Sequence, residues 1–212
     1  MRYKGVIFDL DGVICSTDEY HYLAWKALAD RLGIPFDREK NNLLRGVSRI
    51  ASLEIILSQA DQTFSDTEKA ALANEKNEIY RSLLSNMSPE DLPEDVLTML
   101  QALRAQGLKL AIGSSSRNTP FILERIGLLS FFDAVSDGNC ITHSKPHPEV
   151  FLKAASMLNL DPRDCLVVED AHAGVEAAVA GGFDCAATGD AMEDERAKWH
   201  LNRLSDLKTI VL

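Results

Sequence analysis

Residues 5–14 read GVIFDLDGVI, an apolar run that closes on two acids and a glycine. Val6, Ile7 and Phe8 are β-branched or aromatic, so residues 4–10 read as a short buried strand ending in a polar turn. Strand side chains alternate with a period of two. Asp9 and Asp11 therefore set out toward one side and Leu10 toward the other. In parallel α/β sheets, ligands bind beyond the carboxyl ends of the strands, and Asp9 stands at such an end. Gly12 lets the chain turn tightly there. Two other readings compete. An Asp-Gly hairpin needs an antiparallel strand straight after it, but ICSTDEYHYLAWKAL reads as a helix. A calcium loop needs another Asp or Asn before the glycine and a Glu six residues after it. Position 10 is Leu and position 18 is Asp.

Working outward, residues 19–32 place Leu23, Ala24, Ala27, Leu28 and Leu32 at helical spacing, with Gly33 and Pro35 as the stop. Residues 50–60 and 66–85 also read as helices, with Asp66, three residues after Thr63, at the start of the second. No strand is expected between about 18 and 86. From residue 93 strands and helices alternate: PEDVLTMLQALRAQG helix, LKLAIG strand, TPFILERIG helix, FFDAVSD strand, HPEVFLKAASMLN helix, DCLVVEDA strand, AHAGVEAAVAGG helix and FDCAAT strand. Such βαβ units give a parallel sheet covered on both faces. The expected fold is α/β: a Rossmann-like parallel sheet core with helices on both faces, plus an inserted all-helical cap. The core takes residues 1–16 and 90–212 and the cap 17–89. The last ten residues, RLSDLKTIVL, read as a strand without a final helix.

The chain has 212 residues and a formal net charge of −10, which argues against a phosphate-backbone binder. Cys15, Cys140, Cys165 and Cys185 are far apart and form no C-x-x-C pair. A reduced, intracellular protein is expected, with Cys15 a buried thiol. Asp9 and Asp11 interrupt any secretory apolar core, and no segment reaches the ~20 apolar residues of a membrane span. A cytoplasmic location, no membrane partner and no nucleic-acid partner are the expectations.

Three further strand ends carry polar residues that complement Asp9. Ser114 follows LKLAIG, with Ser115, Ser116, Arg117 and Asn118 leading into the next helix. Lys145 follows FFDAVSD, and Glu169-Asp170 follows DCLVV. Hydroxyls and helix-start N–H groups suit an anion, and a lysine supplies a point charge for phosphate. Asp9 with Glu169 and Asp170 can hold a hard cation such as Mg²⁺. Singly, each element has an ordinary explanation as a cap, a surface charge or a solvated turn. Four of them at four strand ends share one chemistry.

FDLDG, GSSS, SKPHPEVF and VEDAHAGVEAA together resemble the four motifs of the haloacid dehalogenase superfamily of phosphotransferases. EYHYLAWKAL, LRGVSRIASL and GSSSRNTPFILERI resemble its phosphosugar-mutase branch. The resemblance implies Asp9 as a nucleophile that forms an aspartyl-phosphate and Asp11 as general acid/base. It implies Mg²⁺ on Asp9, the Asp11 backbone carbonyl and Asp170, with Glu169 in support. Ser114 and Lys145 would hold the transferring phosphoryl oxygens.

A mutase also needs a seat for a second phosphate. Arg49 is the candidate, because a guanidinium grips phosphate through a bidentate fork; the alternative is a solvated cation at a helix start. By resemblance Ser116, Arg117 and Asn118 complete that seat, His21 helps align Asp11, and Ser52 and Lys76 lie near the sugar. The family residue matching Arg117 is typically Lys, and Ser115 stands where Ala is usual. Trp25 is more often core than sugar-facing. His143 and His147 flank Lys145 and either perturb it or are plain loop residues. The implied activity is interconversion of β-glucose 1-phosphate and glucose 6-phosphate through β-glucose 1,6-bisphosphate, by a monomer whose partner is a small hexose phosphate. A sugar-phosphate phosphatase is the alternative, and an idle phosphosugar binder the third reading.

Overall fold

The computed structural model describes residues 2–44, 47–60 and 62–211. Arg45 and Gly46 of the LRGVSRIASL stretch, and Leu212 of the last ten residues, lie outside them. The chain divides into two compact units, one of residues 1–16 and 88–212 and the other of residues 17–87.

The first unit is built on a six-stranded parallel sheet: β1 (Gly5–Phe8), β2 (Lys109–Gly113), β3 (Ala134–Ser136), β4 (Cys165–Glu169), β5 (Asp184–Ala187) and β6 (Trp199–His200). The spatial order is β3-β2-β1-β4-β5-β6. This is the doubly wound order, in which the winding reverses between β1 and β4 and opens a crevice at their carboxyl ends. Phe8 pairs with Ile112 on one side and Val168 on the other, so three strands end at one level. All four residues of β1 and all five of β4 are buried, as a sheet covered on both faces requires. Its helices are α5 (Glu94–Ala105), α6 (Thr119–Arg125), α7 (Glu149–Leu158), α8 (His172–Ala180) and α9 (Leu207–Val211). Val150, Phe151, Ala154, Ala155 and Leu158 of α7 form the apolar stripe that joins Ile7, Ala111 and Val167 in the core.

The second unit contains α1 (Asp18–Arg31), α2 (Arg38–Asn42), α3 (Arg49–Leu57) and α4 (Asp66–Leu84), with no strand among its described residues. Its core gathers Trp25, Leu28, Ala29, Phe36, Leu53, Ile56 and Leu72. Trp25 is thus a core residue of this unit. No described helix is long and apolar enough to cross a membrane.

Three local readings need correction. The buried face of α1 is Ala24, Trp25, Leu28 and Ala29, whereas Leu23 and Ala27 are exposed. Burying the Trp25 ring turns the stripe by one residue. α4 starts at Asp66, as the sequence reads, and Ser65 caps it: Ser65 Oγ accepts from the Glu68 N–H, and the Glu68 carboxylate accepts from the Ser65 N–H at 2.8 Å. The short α2, capped by Asp37, was not anticipated. Near the C-terminus, Leu207–Val211 is helical. Its β-branched Thr209, Ile210 and Val211 suggest a strand, but Leu207 and Val211 are buried four residues apart on one helix face. The sixth strand lies earlier, at Trp199–His200, paired with Ala186 and Ala187.

Candidate active site

Asp9 leaves the sheet directly after β1, its N–H donating to the Val168 carbonyl at 2.9 Å. Asp11 follows, and a tight loop closes behind it: the Gly12 N–H donates to the Cys15 carbonyl at 2.8 Å. Gly12 has φ +85°, a conformation that glycine adopts freely. A Cβ there would fall 2.0 Å from Asp170 Oδ2, so glycine is what lets this backbone approach the Asp170 carboxylate.

Lys145 comes from the loop between β3 and α7, and its side chain is only 6% exposed. Its Nζ donates to Asp9 Oδ1 at 2.5 Å and to Glu169 Oε1 at 2.5 Å. The other Glu169 oxygen accepts from the Ala171 N–H at 2.8 Å. Glu169 thus spends both oxygens on holding Lys145 and the turn after β4. A Cβ on Gly174 of α8 would lie 1.8 Å from Glu169 Oε1, so α8 needs a glycine where it passes this carboxylate. The Lys145 ammonium also lies 4.6 Å from the centre of the buried Phe151 ring.

Burial alone would discharge Lys145, but Asp9 and Glu169 outweigh it and hold the ammonium above the ordinary lysine range. Burial raises the Asp9 carboxyl, Lys145 opposes that rise, and Glu169 adds to it. Asp170 is pushed up to about 9 by burial and then by the negative charges of Asp9, Glu169 and Asp11. One ammonium does not neutralise this many carboxylates. A hard cation, which takes carboxylate and carbonyl oxygens, fits this donor set and would relieve the repulsion. Asp9, Asp170 and the Asp11 carbonyl could hold it.

After β2 the turn braces itself. Ser114 Oγ accepts from the Ser116 N–H, and Ser116 Oγ from the Asn118 N–H, each at 3.2 Å. Ser114 and Asn118 are buried; Arg117 is exposed. Ser115 Oγ accepts from the Lys145 N–H at 3.4 Å, so this hydroxyl reaches the lysine loop. Cys15 is buried and its thiol is pushed up by burial, then by Asp11 and Asp9. His143 and His147 are exposed loop residues, and neither is among the charges that shift Lys145.

The remaining predicted residues lie in the helical unit. Lys76 is 2% exposed and its Nζ lies 2.8 Å from His21 Nδ1. The ammonium also sits 4.6 and 4.5 Å from the Trp25 and Tyr80 ring centres. Desolvation, then Lys76 and Arg49, hold His21 well below the ordinary histidine range, so it is neutral near pH 7. Arg49 is the first residue of α3, half-buried, and Ser52 is buried one turn on. The structure therefore joins Asp9, Lys145 and Glu169 by direct hydrogen bonds, and separately joins His21 and Lys76. The parts played by Phe151, Gly174 and Ser115 were not read from the sequence. Only the closeness of Phe151 to the lysine loop and the GVEAA start of α8 hinted at the first two.

The chain belongs to the haloacid dehalogenase-like hydrolase family, whose model matches residues 3–182. It is 42% identical over 206 residues to the β-phosphoglucomutase of Bacillus subtilis (strain 168), covering 96% of this chain and 91% of that protein. It is 38% identical over 186 residues to a fructose-1-phosphate phosphatase of Escherichia coli (strain K12), covering 86% of this chain and 95% of that protein. The solved β-phosphoglucomutase of Clostridium difficile superposes with a TM-score of 0.90 at 34% identity, covering 98% of this chain and 95% of that one.

Proposed function

We propose that the protein is a phosphosugar mutase that interconverts β-glucose 1-phosphate and glucose 6-phosphate through β-glucose 1,6-bisphosphate. The buried Asp9–Lys145–Glu169 array at the switch point of the sheet carries the reading. The 42% identity to a β-phosphoglucomutase over nearly the whole chain supports the substrate.

Asp9 is the nucleophile. Its carboxylate attacks phosphorus, the bond to the leaving sugar oxygen breaks, and an aspartyl-phosphate forms. Asp11 protonates that oxygen, then deprotonates the hydroxyl that takes the phosphoryl group back. Lys145, held by Glu169, and Ser114 stabilise charge on the transferring oxygens. Asp9, Asp170 and the Asp11 carbonyl would hold Mg²⁺, which would offset repulsion between the carboxylate and the phosphoryl group. In the helical unit Arg49 binds the phosphate that is not transferred, and in the core Ser116, Arg117 and Asn118 bind phosphate. Ser52 and Lys76 bind the sugar, and His21 aligns Asp11.

The 38% identity to a fructose-1-phosphate phosphatase supports a second reading, in which water replaces the sugar hydroxyl as acceptor. One assay separates the two: protein, Mg²⁺, β-glucose 1-phosphate and a trace of the bisphosphate. Glucose 6-phosphate as the main product supports the mutase. Stoichiometric free phosphate supports the phosphatase, and no turnover overturns both.

A further inference from the structure

The loop between β3 and α7, with the first residue of α7, bears a second cluster that phosphoryl transfer leaves unused. His143, His147 and Glu149 each offer one ligand atom, and these atoms lie within 4.8 Å of one another. His143 Nδ1 is 3.2 Å from Glu149 Oε2, and the Glu149 N–H donates to His147 Nδ1 at 3.3 Å. The two imidazole rings lie with centroids 4.7 Å apart. We propose that these three side chains form a second metal site, for a borderline divalent ion of the Zn²⁺, Ni²⁺ or Cu²⁺ class.

The donor set sets the class. Two imidazoles and one carboxylate suit these ions, whereas Mg²⁺ asks for oxygen ligands in an octahedron. The order His-x-x-x-His-x-Glu within seven residues keeps the chelate local, so little chain must be ordered on binding. Glu149 is already aimed. The Thr142 N–H donates to both its oxygens at 3.1 Å, the His143 N–H donates to Oε2 at 2.9 Å, and Lys153 Nζ lies 3.1 Å from Oε1. These groups hold its carboxyl down to about 2. Both histidines are exposed, so their rings can turn, and the half-buried Lys153 also donates to the Cys140 carbonyl, which keeps its ammonium a partner when Glu149 turns to the metal. Ligand atoms around a tetrahedral zinc stand about 3.3 Å apart, which asks for shifts of about 1 Å from these side chains. Three protein ligands leave a position for water. Lys145, on the same loop, is engaged with Asp9 and Glu169.

The test is binding of the metal alone to the full chain in excess Mg²⁺, which occupies oxygen-only sites. Equilibrium dialysis against Zn²⁺ is expected to retain about one ion per chain. His143→Ala and His147→Ala are each expected to weaken retention by about tenfold or more. With Cu²⁺ as probe, the paramagnetic resonance spectrum of the wild-type chain is expected to show coupling to two nitrogens, and needs no variant. Undiminished Zn²⁺ retention by the chain carrying both His143→Ala and His147→Ala, a Cu²⁺ spectrum without two nitrogens, or no Zn²⁺ retained by wild type would each overturn the proposal.

Discussion

At the scale of single residues, the site is a contest between burial and charge. Lys145 is kept charged in a dry setting because two carboxylates share its ammonium. Asp9→Asn keeps the shape but gives a poor nucleophile, so turnover should vanish with the fold intact by circular dichroism. Retained phosphoryl transfer would remove Asp9 from that role. Asp11→Asn leaves the backbone carbonyl unchanged and should slow turnover by ~10²–10⁴-fold while sparing Mg²⁺ binding. Gly174→Ala tests the support behind the lysine. The new methyl would occupy the place of Glu169 Oε1, so this carboxylate must shift and its hold on Lys145 loosen. Turnover should fall by about 10–100-fold, the range seen when groups that orient a site are displaced. An unchanged rate would mean that Glu169 does not position Lys145.

At the scale of elements, caps and local networks decide where helices start and what they enclose. The Ser65–Glu68 capping box fixes the start of α4. Ser65→Ala should cost about 1 kcal/mol in denaturant unfolding; no change would show that packing alone sets that end. Inside the helical unit, α1 and α4 meet at His21 and Lys76. The His21 pKa is lowered in the folded state by desolvation, Lys76 and Arg49. The unfolded chain therefore takes up a proton near pH 6.5 that the folded one refuses. Stability from this group is full above that pH and falls as pH drops below it. His21→Gln, which still offers an acceptor to Lys76, should flatten this part of the pH dependence between 7.5 and 5.5. The check is urea unfolding of both chains at the two pH values, and equal slopes for both would sink the assignment.

At the scale of the whole molecule, function requires residues that the chain carries far apart. Asp9, Lys145 and Glu169 meet because β1 and β4 are sheet neighbours and their ends are in register. Arg49 belongs to the other unit, and its part is tested by changing the donor. Arg49→Ala should lose affinity and turnover on glucose phosphates, yet scarcely affect phosphoryl transfer from acetyl phosphate to Asp9. Acetyl phosphate has no second phosphate to bind, and distant binding energy is what orients the reacting end. Equal losses on both donors would mean that Arg49 supports the fold, and no loss on either would leave it a surface cation.

The sequence by itself determined the βαβ rhythm, the helical insert, and which strand ends carry Asp9, Ser114, Lys145 and Glu169-Asp170. These are local matters of period and turn chemistry, legible because a strand covered on both faces must be apolar throughout until it ends. The tertiary structure decided the rest. Trp199 and His200 form a strand only because the edge of β5 offers Ala186 and Ala187 as partners. Residues 207–211 are helical because Leu207 and Val211 bury on one face, against the β preference of Thr209 and Ile210. The sequence places Glu169 at a strand end but not its hydrogen-bond partners, which the fold makes Lys145 for one oxygen and the Ala171 N–H for the other. No spacing along the chain records that choice. It depends on a lysine 24 residues away, on a glycine in α8 that leaves the room, and on the shortage of positive charge where so many carboxylates are buried together.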